Sequence, residues 1–271
     1  MELVKGKDYK MIVGDIETLA SCIDFGYYNP DTEEWHEFQI SKYKNQLYEF
    51  IKFYLDGGWD YVCGYNYVGF DAQVIQYIIR NYEKWGELSA EDIIWNIYSY
   101  TQRLIDNQKY GLFLPYRESD FSVPVIDVFT ILGLNNEARW TSLKKAEFQI
   151  NWWSVEEMPI HHSTFYLSEE QIGEIQSYRR NDVLATYEIL KIVIGETEHP
   201  VYKGNNQLEL RMALEEEFDV PCLNYSDIKI GDEIVKKYYA ERIDKKVWEL
   251  PKKGFFRKEI ALKHCIPKYV E

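Results

Sequence analysis

Four acids and one tyrosine are the residues of this chain that could do chemistry together. Asp15 and Glu17 stand in VGDIET, Asp71 in GYNYVGFD and Asp182 in SYRRNDVLATYE, where Tyr178 precedes Asp182 by four residues. Carboxylates gathered in one place repel one another and are costly to bury. A fold keeps such a set together when something positive lies between them. Divalent metal is the usual choice, because hard cations prefer carboxylate oxygen.

The spacing says which elements would have to hold them. Asp15 and Glu17 are two apart on an apolar run, and the period of a strand puts both on one face with Ile16 on the other. Tyr178 and Asp182 are four apart on a helical pattern and lie one above the other. Asp71 follows an apolar strand and opens a helix, where it could also serve as an ordinary N-cap. Alone, each motif is weak: the acidic pair could sit at an exposed strand end, and the tyrosine on a solvated helix face. Their order along the chain is what carries information.

Around these motifs the hydrophobic pattern predicts strands over 10–16, 21–28 and 34–40, the last two flanking an Asn-Pro-Asp-Thr turn. The short connections make the three antiparallel. A helix follows over 45–55, ended by Gly57-Gly58, then a strand over 59–65 and a helix over 70–82. The stretch 82–122 reads as an insertion, with a helix over 90–108 and an extended strand or hairpin over 110–116. A last strand is expected over 123–127 with a helix starting at 128. Short amphipathic 142–148 comes next, and a long helix runs from Ser168 to about Ile194, opened by a Ser-x-x-Gln capping pattern. Two more helices cover 206–218 and 226–243. The expected class is α/β, a five-stranded mixed sheet flanked by helices, with an insertion before the last core strand and a helical C-terminal appendage. Residues 1–195 would form the main domain, and 196–271 the appendage with a basic end.

Composition narrows the classes. Hydrophobic residues make up 46% of the 271-residue chain and charged residues 28%, an ordinary globular mixture. No segment is apolar and long enough to span a bilayer, so no membrane partner is expected. The N-terminus has neither the apolar run nor the cleavage site of a signal peptide. Cys22, Cys63, Cys222 and Cys265 form no CxxC pair and read as free thiols, and His161 and His162 lack the cysteine partners of a zinc site. The formal net charge of −14 argues against a protein that coats DNA nonspecifically. From Lys236 onward, however, 11 Lys and Arg face 5 Asp and Glu, so this end could touch phosphate or simply be solvated. The 23 tyrosines read as aromatic packing, with base-stacking platforms as the sharper alternative.

An acidic pair on the first strand, Asn66-Tyr67-Val68-Gly69-Phe70-Asp71 after a later strand, and Tyr178-Arg179-Arg180-Asn181-Asp182 on a late helix occur in that order. Over about residues 9–195 the chain resembles the DnaQ-like 3′–5′ exonucleases of the tyrosine-bearing DEDD type (DEDDy), in the flavour of the proofreading domain of family B DNA polymerases, phage ones included. The resemblance implies an RNase H-like fold and two divalent ions, Mg²⁺ or Mn²⁺. It gives Asp15, Glu17 and Asp182 to one ion, with Asp15 shared by a second ion that Asp71 approaches through water. Such a pair stabilises the attacking and leaving oxygens of an in-line displacement. Tyr178 would orient the attacking water, since a phenol with an ordinary pKa near 10 is a poor base at neutral pH. Thr18, Asn66 and Phe70 are the implied contacts to the terminal nucleotide.

The implied substrate is a single-stranded DNA 3′ end, released as nucleoside 5′-monophosphates. An RNase D-like action on RNA is the same-class alternative, and a non-catalytic nucleic-acid or protein-binding module on the same fold is the other. A polymerase or another replication protein is the implied partner, in the cytoplasm of a bacterial or virus-infected host cell. Two features depart from compact members of the family: more than a hundred residues separate the second and third motifs, and 196–271 does not resemble the exonuclease core. The length suggests a piece of a longer replication protein or a compact viral relative of one. Arg103, Lys109, Arg117 and Arg139 are candidate phosphate contacts in or near the insertion.

Overall fold

The computed structural model describes residues 1–135, 141–198, 200 and 202–250. The apolar runs pair into a mixed sheet in the order β3-β2-β1-β4-β5. Its strands are β1 (Met11–Leu19), β2 (Cys22–Asn29), β3 (Glu34–Ser41), β4 (Tyr61–Gly64) and β5 (Val125–Asp127). β1, β2 and β3 are antiparallel neighbours, whereas β4 and β5 add in parallel beyond β1. β1 outlasts its apolar run by three residues, because the ladder to β2 continues through Glu17 opposite Asp24 to Leu19 opposite Cys22. The acidic pair is therefore inside a hydrogen-bonded strand, not at its frayed end.

Eight helices are described: α1 (Leu47–Asp56), α2 (Asp71–Asn81), α3 (Ala90–Lys109), α4 (Val128–Ile131), α5 (Leu143–Gln149), α6 (Glu169–Val193), α7 (Gln207–Phe218) and α8 (Asp227–Arg242). Helices α1–α3 take one face of the sheet and α4–α6 the other. Ile12 and Ile16 of β1, with Ile23, Phe25 and Tyr27 of β2, pack against apolar residues of α1, α2 and α3. Met11 and Val13, on the other side of β1, pack with Cys63, Ile126 and the Val183, Ile189, Leu190 and Val193 stripe of α6. The strand period places Asp15 and Glu17 in line with Met11 and Val13, hence on the α6 side. This is the α/β architecture expected, a five-stranded mixed sheet flanked by helices with a helical C-terminal part, and it is consistent with an RNase H-like fold.

The 82–122 stretch is built into the core. α3 has Ser89 as its N-cap and puts Ile93, Ile94, Ile97, Tyr100 and Leu104 into the main apolar cluster. The strand or hairpin expected over 110–116 does not form. Leu112 and Phe113 are exposed, and the segment is tied down by Gln73, which donates to the Tyr116 carbonyl and accepts from its N–H at 2.9 Å each. The sheet edge it would need is already taken. The Asn224 side chain donates to Val125 O and accepts from Asp127 N, both at 2.8 Å, and so blunts β5 as a neighbouring strand would.

Contacts divide the chain into two units, Met1–Ile230 and Gly231–Glu271, the second described as far as Leu250. No helix among the described residues is long and apolar enough to cross a membrane. Cys22, Cys63 and Cys222 are free and buried. Cys265, Arg139 and much of the basic C-terminal end lie outside the described residues.

Candidate functional site

Three elements bring the acids to one place. β1 supplies Asp15 and Glu17, the start of α2 supplies Asp71, and the middle of α6 supplies Asp182. All four line a single cavity of about 350 Å³, together with Asn66, Phe70, Tyr65, Phe129 and Thr141–Leu143 in sequence. Thr18 and Tyr178 are not among its lining residues. Thr18 pairs with Ile23 and shares the face of Ile16. Tyr178 flanks the set from α6, one turn before Asp182, close enough for the charges of Asp182, Glu17 and Asp15 to act on its hydroxyl.

The alternative role for Asp71, an N-cap, is not the one observed. Its helix has no side-chain cap, and its Oδ1 reaches across the sheet to accept the N–H of Ile16 at 3.1 Å. That bond ties α2 to the backbone between Asp15 and Glu17. The turn before it is held just as firmly. Asn66 adopts a left-handed φ of 54°, a conformation that asparagine tolerates better than most residues, and its carbonyl accepts the N–H groups of Gly69 and Phe70 at 3.1 Å. Asp127, fully buried at the end of β5, accepts from Val68 N at 3.0 Å and from Phe129 N at 3.1 Å. Burial pushes its carboxyl up to about 7 against these bonds. Sequence reasoning did not single out Asp127; it reads as the last residue of a strand.

α6 is pinned above the sheet by a buried cation. Arg179, with no exposed surface, pairs through Nε with Asp24 Oδ2 at 2.5 Å and through Nη2 with Glu37 Oε1 at 2.6 Å. Gln176 donates to the other Asp24 oxygen at 3.1 Å, and Arg180 pairs with Glu37. Gly26, opposite Asp15, leaves the space: a Cβ there would stand 1.1 Å from Arg179 Nη1. With Arg179 fixed over β2, helical geometry directs Tyr178 and Asp182 toward β1.

The electrostatics are those of crowded, half-dry acids. Burial, then the charge of Asp182, pushes Asp15 up to about 7 even with Arg179 and Lys144 opposing. Burial, then Asp15, Asp182 and Asp71 in turn, holds Glu17 well above the usual carboxylate range. Asp71 is raised by burial and by Asp15. Asp182 is raised by burial, against the pull of Lys144. The Tyr178 hydroxyl is also raised, by burial first and then by Asp182, Glu17 and Asp15. It is therefore a neutral phenol, able to donate a hydrogen bond and unsuited to act as a base.

Two further groups belong to the cluster. Lys144 of α5 contacts Asp182 and lies 4.4 Å from the Tyr178 ring centroid. Glu147, one turn on, is fully buried beside them. Neither was singled out from sequence, where a Lys-Lys-x-Glu pattern on a short amphipathic helix reads as a solvated face. The basic residues that were singled out and are described, Arg103, Lys109 and Arg117, are exposed and do not line the cavity.

As ligands the four acids suit a hard divalent cation: all are oxygen donors, they converge on one cavity, and their mutual repulsion favours a positive charge among them. Among the described residues, no three Asp, Glu, His or Cys side chains are already closed around a common point; Asp182 is engaged by Lys144 instead.

No family model and no curated protein matches the sequence. Among solved structures, the chain is similar to the family B DNA polymerase from the hyperthermophilic archaeon Pyrobaculum calidifontis, with a TM-score of 0.49 and 14% identity. The match covers 88% of this chain and 30% of the polymerase chain.

Proposed function

We propose that this chain is a metal-dependent 3′–5′ exonuclease of the DEDDy type that removes nucleotides from the 3′ end of single-stranded DNA, as the proofreading part of a replication protein. The observation that carries this reading is the convergence of Asp15, Glu17, Asp71 and Asp182 from β1, α2 and α6 on one cavity, with the neutral phenol of Tyr178 beside them on α6.

Asp15, Glu17, Asp71 and Asp182 would hold two divalent ions, Mg²⁺ or Mn²⁺, whose chemistry is to acidify water and to neutralise charge on the phosphate. The chain's own groups do the rest. Tyr178 donates a hydrogen bond and orients the attacking water. Asn66 and Phe70, at the cavity wall, contact the terminal nucleotide, Phe70 by apolar contact with base or sugar and Asn66 by a polar contact. Thr18, whose side chain shares the face of Ile16, would meet the same nucleotide only through its backbone. In the reaction, water oxygen bonds to phosphorus and the P–O3′ bond breaks. A nucleoside 5′-monophosphate departs, and the shortened strand keeps a 3′-hydroxyl.

Matched 5′-labelled DNA and RNA oligonucleotides incubated with the protein and Mn²⁺ test this. A ladder shortening from the 3′ end of DNA is expected. A ladder on RNA alone replaces the substrate with the RNase D-like one. Strands left intact over a wide protein range, with binding retained, favour the non-catalytic module.

A further inference from the structure

The acidic cavity already contains a cation of the protein's own. Lys144 is only 19% exposed; its ammonium contacts Asp182 Oδ1 and lies 3.2 Å from Glu147 Oε1. Glu147 has no exposed side-chain surface. Its other oxygen, Oε2, has no donor within reach, and its carboxyl adjoins that of Asp182. Two carboxyl groups thus share one ammonium where an unpaired charge is expensive. α5 does not need this arrangement for its own stability, since Ser142 caps it and Ala146 packs into the apolar cluster.

We propose that Lys144 is the counter-ion with which a divalent cation competes for Asp182, so that this lysine sets the metal affinity of the site. The inference rests on the exonuclease reading, because it takes Asp182 as a metal ligand. An Asp182 oxygen held in a charge-assisted bond to Lys144 cannot offer the same lone pair to an ion. Ligation requires the ammonium to withdraw, and Glu147 gives it a second anchor without a long excursion. Glu147 thereby keeps Lys144 close enough to lower the affinity even after Asp182 is released.

Mn²⁺ titrated into the full chain without oligonucleotide, followed by calorimetry and by the free-ion paramagnetic resonance signal, tests this. Lys144→Met should bind Mn²⁺ at least about tenfold more tightly than wild type, the size expected from removing one unit charge near a divalent ion. Lys144→Arg, which keeps the charge, should stay close to wild type. The rise in melting temperature on adding Mn²⁺ should be larger for Lys144→Met than for wild type. Equal or weaker affinity in Lys144→Met, or no larger rise in melting temperature, overturns the competition and leaves the site reading standing. Absence of saturable Mn²⁺ binding in every protein, or binding that Asp15→Asn leaves unchanged, overturns the site reading and the competition with it. If the Met variant does not fold, Lys144→Gln, with a polar head, is judged by the same outcomes.

Discussion

Replacing Arg179 by Met should unseat the third motif without touching any of the four acids. The side chain is fully buried and carries two ion pairs, to Asp24 and Glu37. Removing one partner of a buried pair typically costs about 3–5 kcal/mol, because the other charge stays behind. Here Glu37 keeps Arg180, so the main loss falls on Asp24, which retains only Gln176. That places the expected cost near the lower bound, about 3 kcal/mol, or about 6–12 °C in melting temperature for a domain of this size. Urea denaturation followed by far-ultraviolet circular dichroism measures it. In Arg179→Met/Asp24→Leu both charges are gone, and most of the loss should be recovered. A single variant within about 1 kcal/mol of wild type, the scale of an exposed pair, or a double variant no more stable than the single, would refute the argument that this buried pairing pins α6.

Asp15→Asn and Asp182→Asn should cut exonuclease rate by at least about a hundredfold, the equivalent of several kcal/mol of transition-state stabilisation, while circular dichroism stays native; wild-type turnover in either variant contradicts the assignment. Tyr178→Phe should slow cleavage about tenfold, the worth of one hydrogen bond, with Mn²⁺ affinity unchanged in calorimetry. In chelator, the melting temperature should fall as pH rises from about 4 to about 7. Asp15, Asp127 and Glu147 are pushed up to about 7, and Glu17 and Asp71 are also raised. The folded chain therefore binds more protons than the unfolded one across that window, and the stability they contribute is lost as they ionise. A melting temperature that climbs through this range would show other groups in control.

Much of the fold was legible because apolar period decides it. The helix over 71–81 follows from Val74, Ile75 and Ile78, and the buried strands from their continuous apolar runs. The 110–116 stretch misled because Leu112, Phe113 and Leu114 look like a strand, while the edge they would join is closed by Asn224, over a hundred residues later. The acids were legible for a similar reason: a pair at spacing two and a Tyr-Asp pair at spacing four carry their own geometry. Asp24, Asp127, Lys144 and Glu147 carry none. The meaning of each comes from a partner far along the chain, such as Arg179 for Asp24 or Asp182 for Lys144.

The absent side chain at Gly26 has a consequence for how this sequence can drift. A methyl group there would collide with the guanidinium that α6 lays across β2. Positions 26 and 179 are therefore locked as a couple: a descendant that gains bulk at one must shed it at the other, and must then find a new mate for Asp24. Neither half-step is neutral, so the two sites should change in concert or stay as they are.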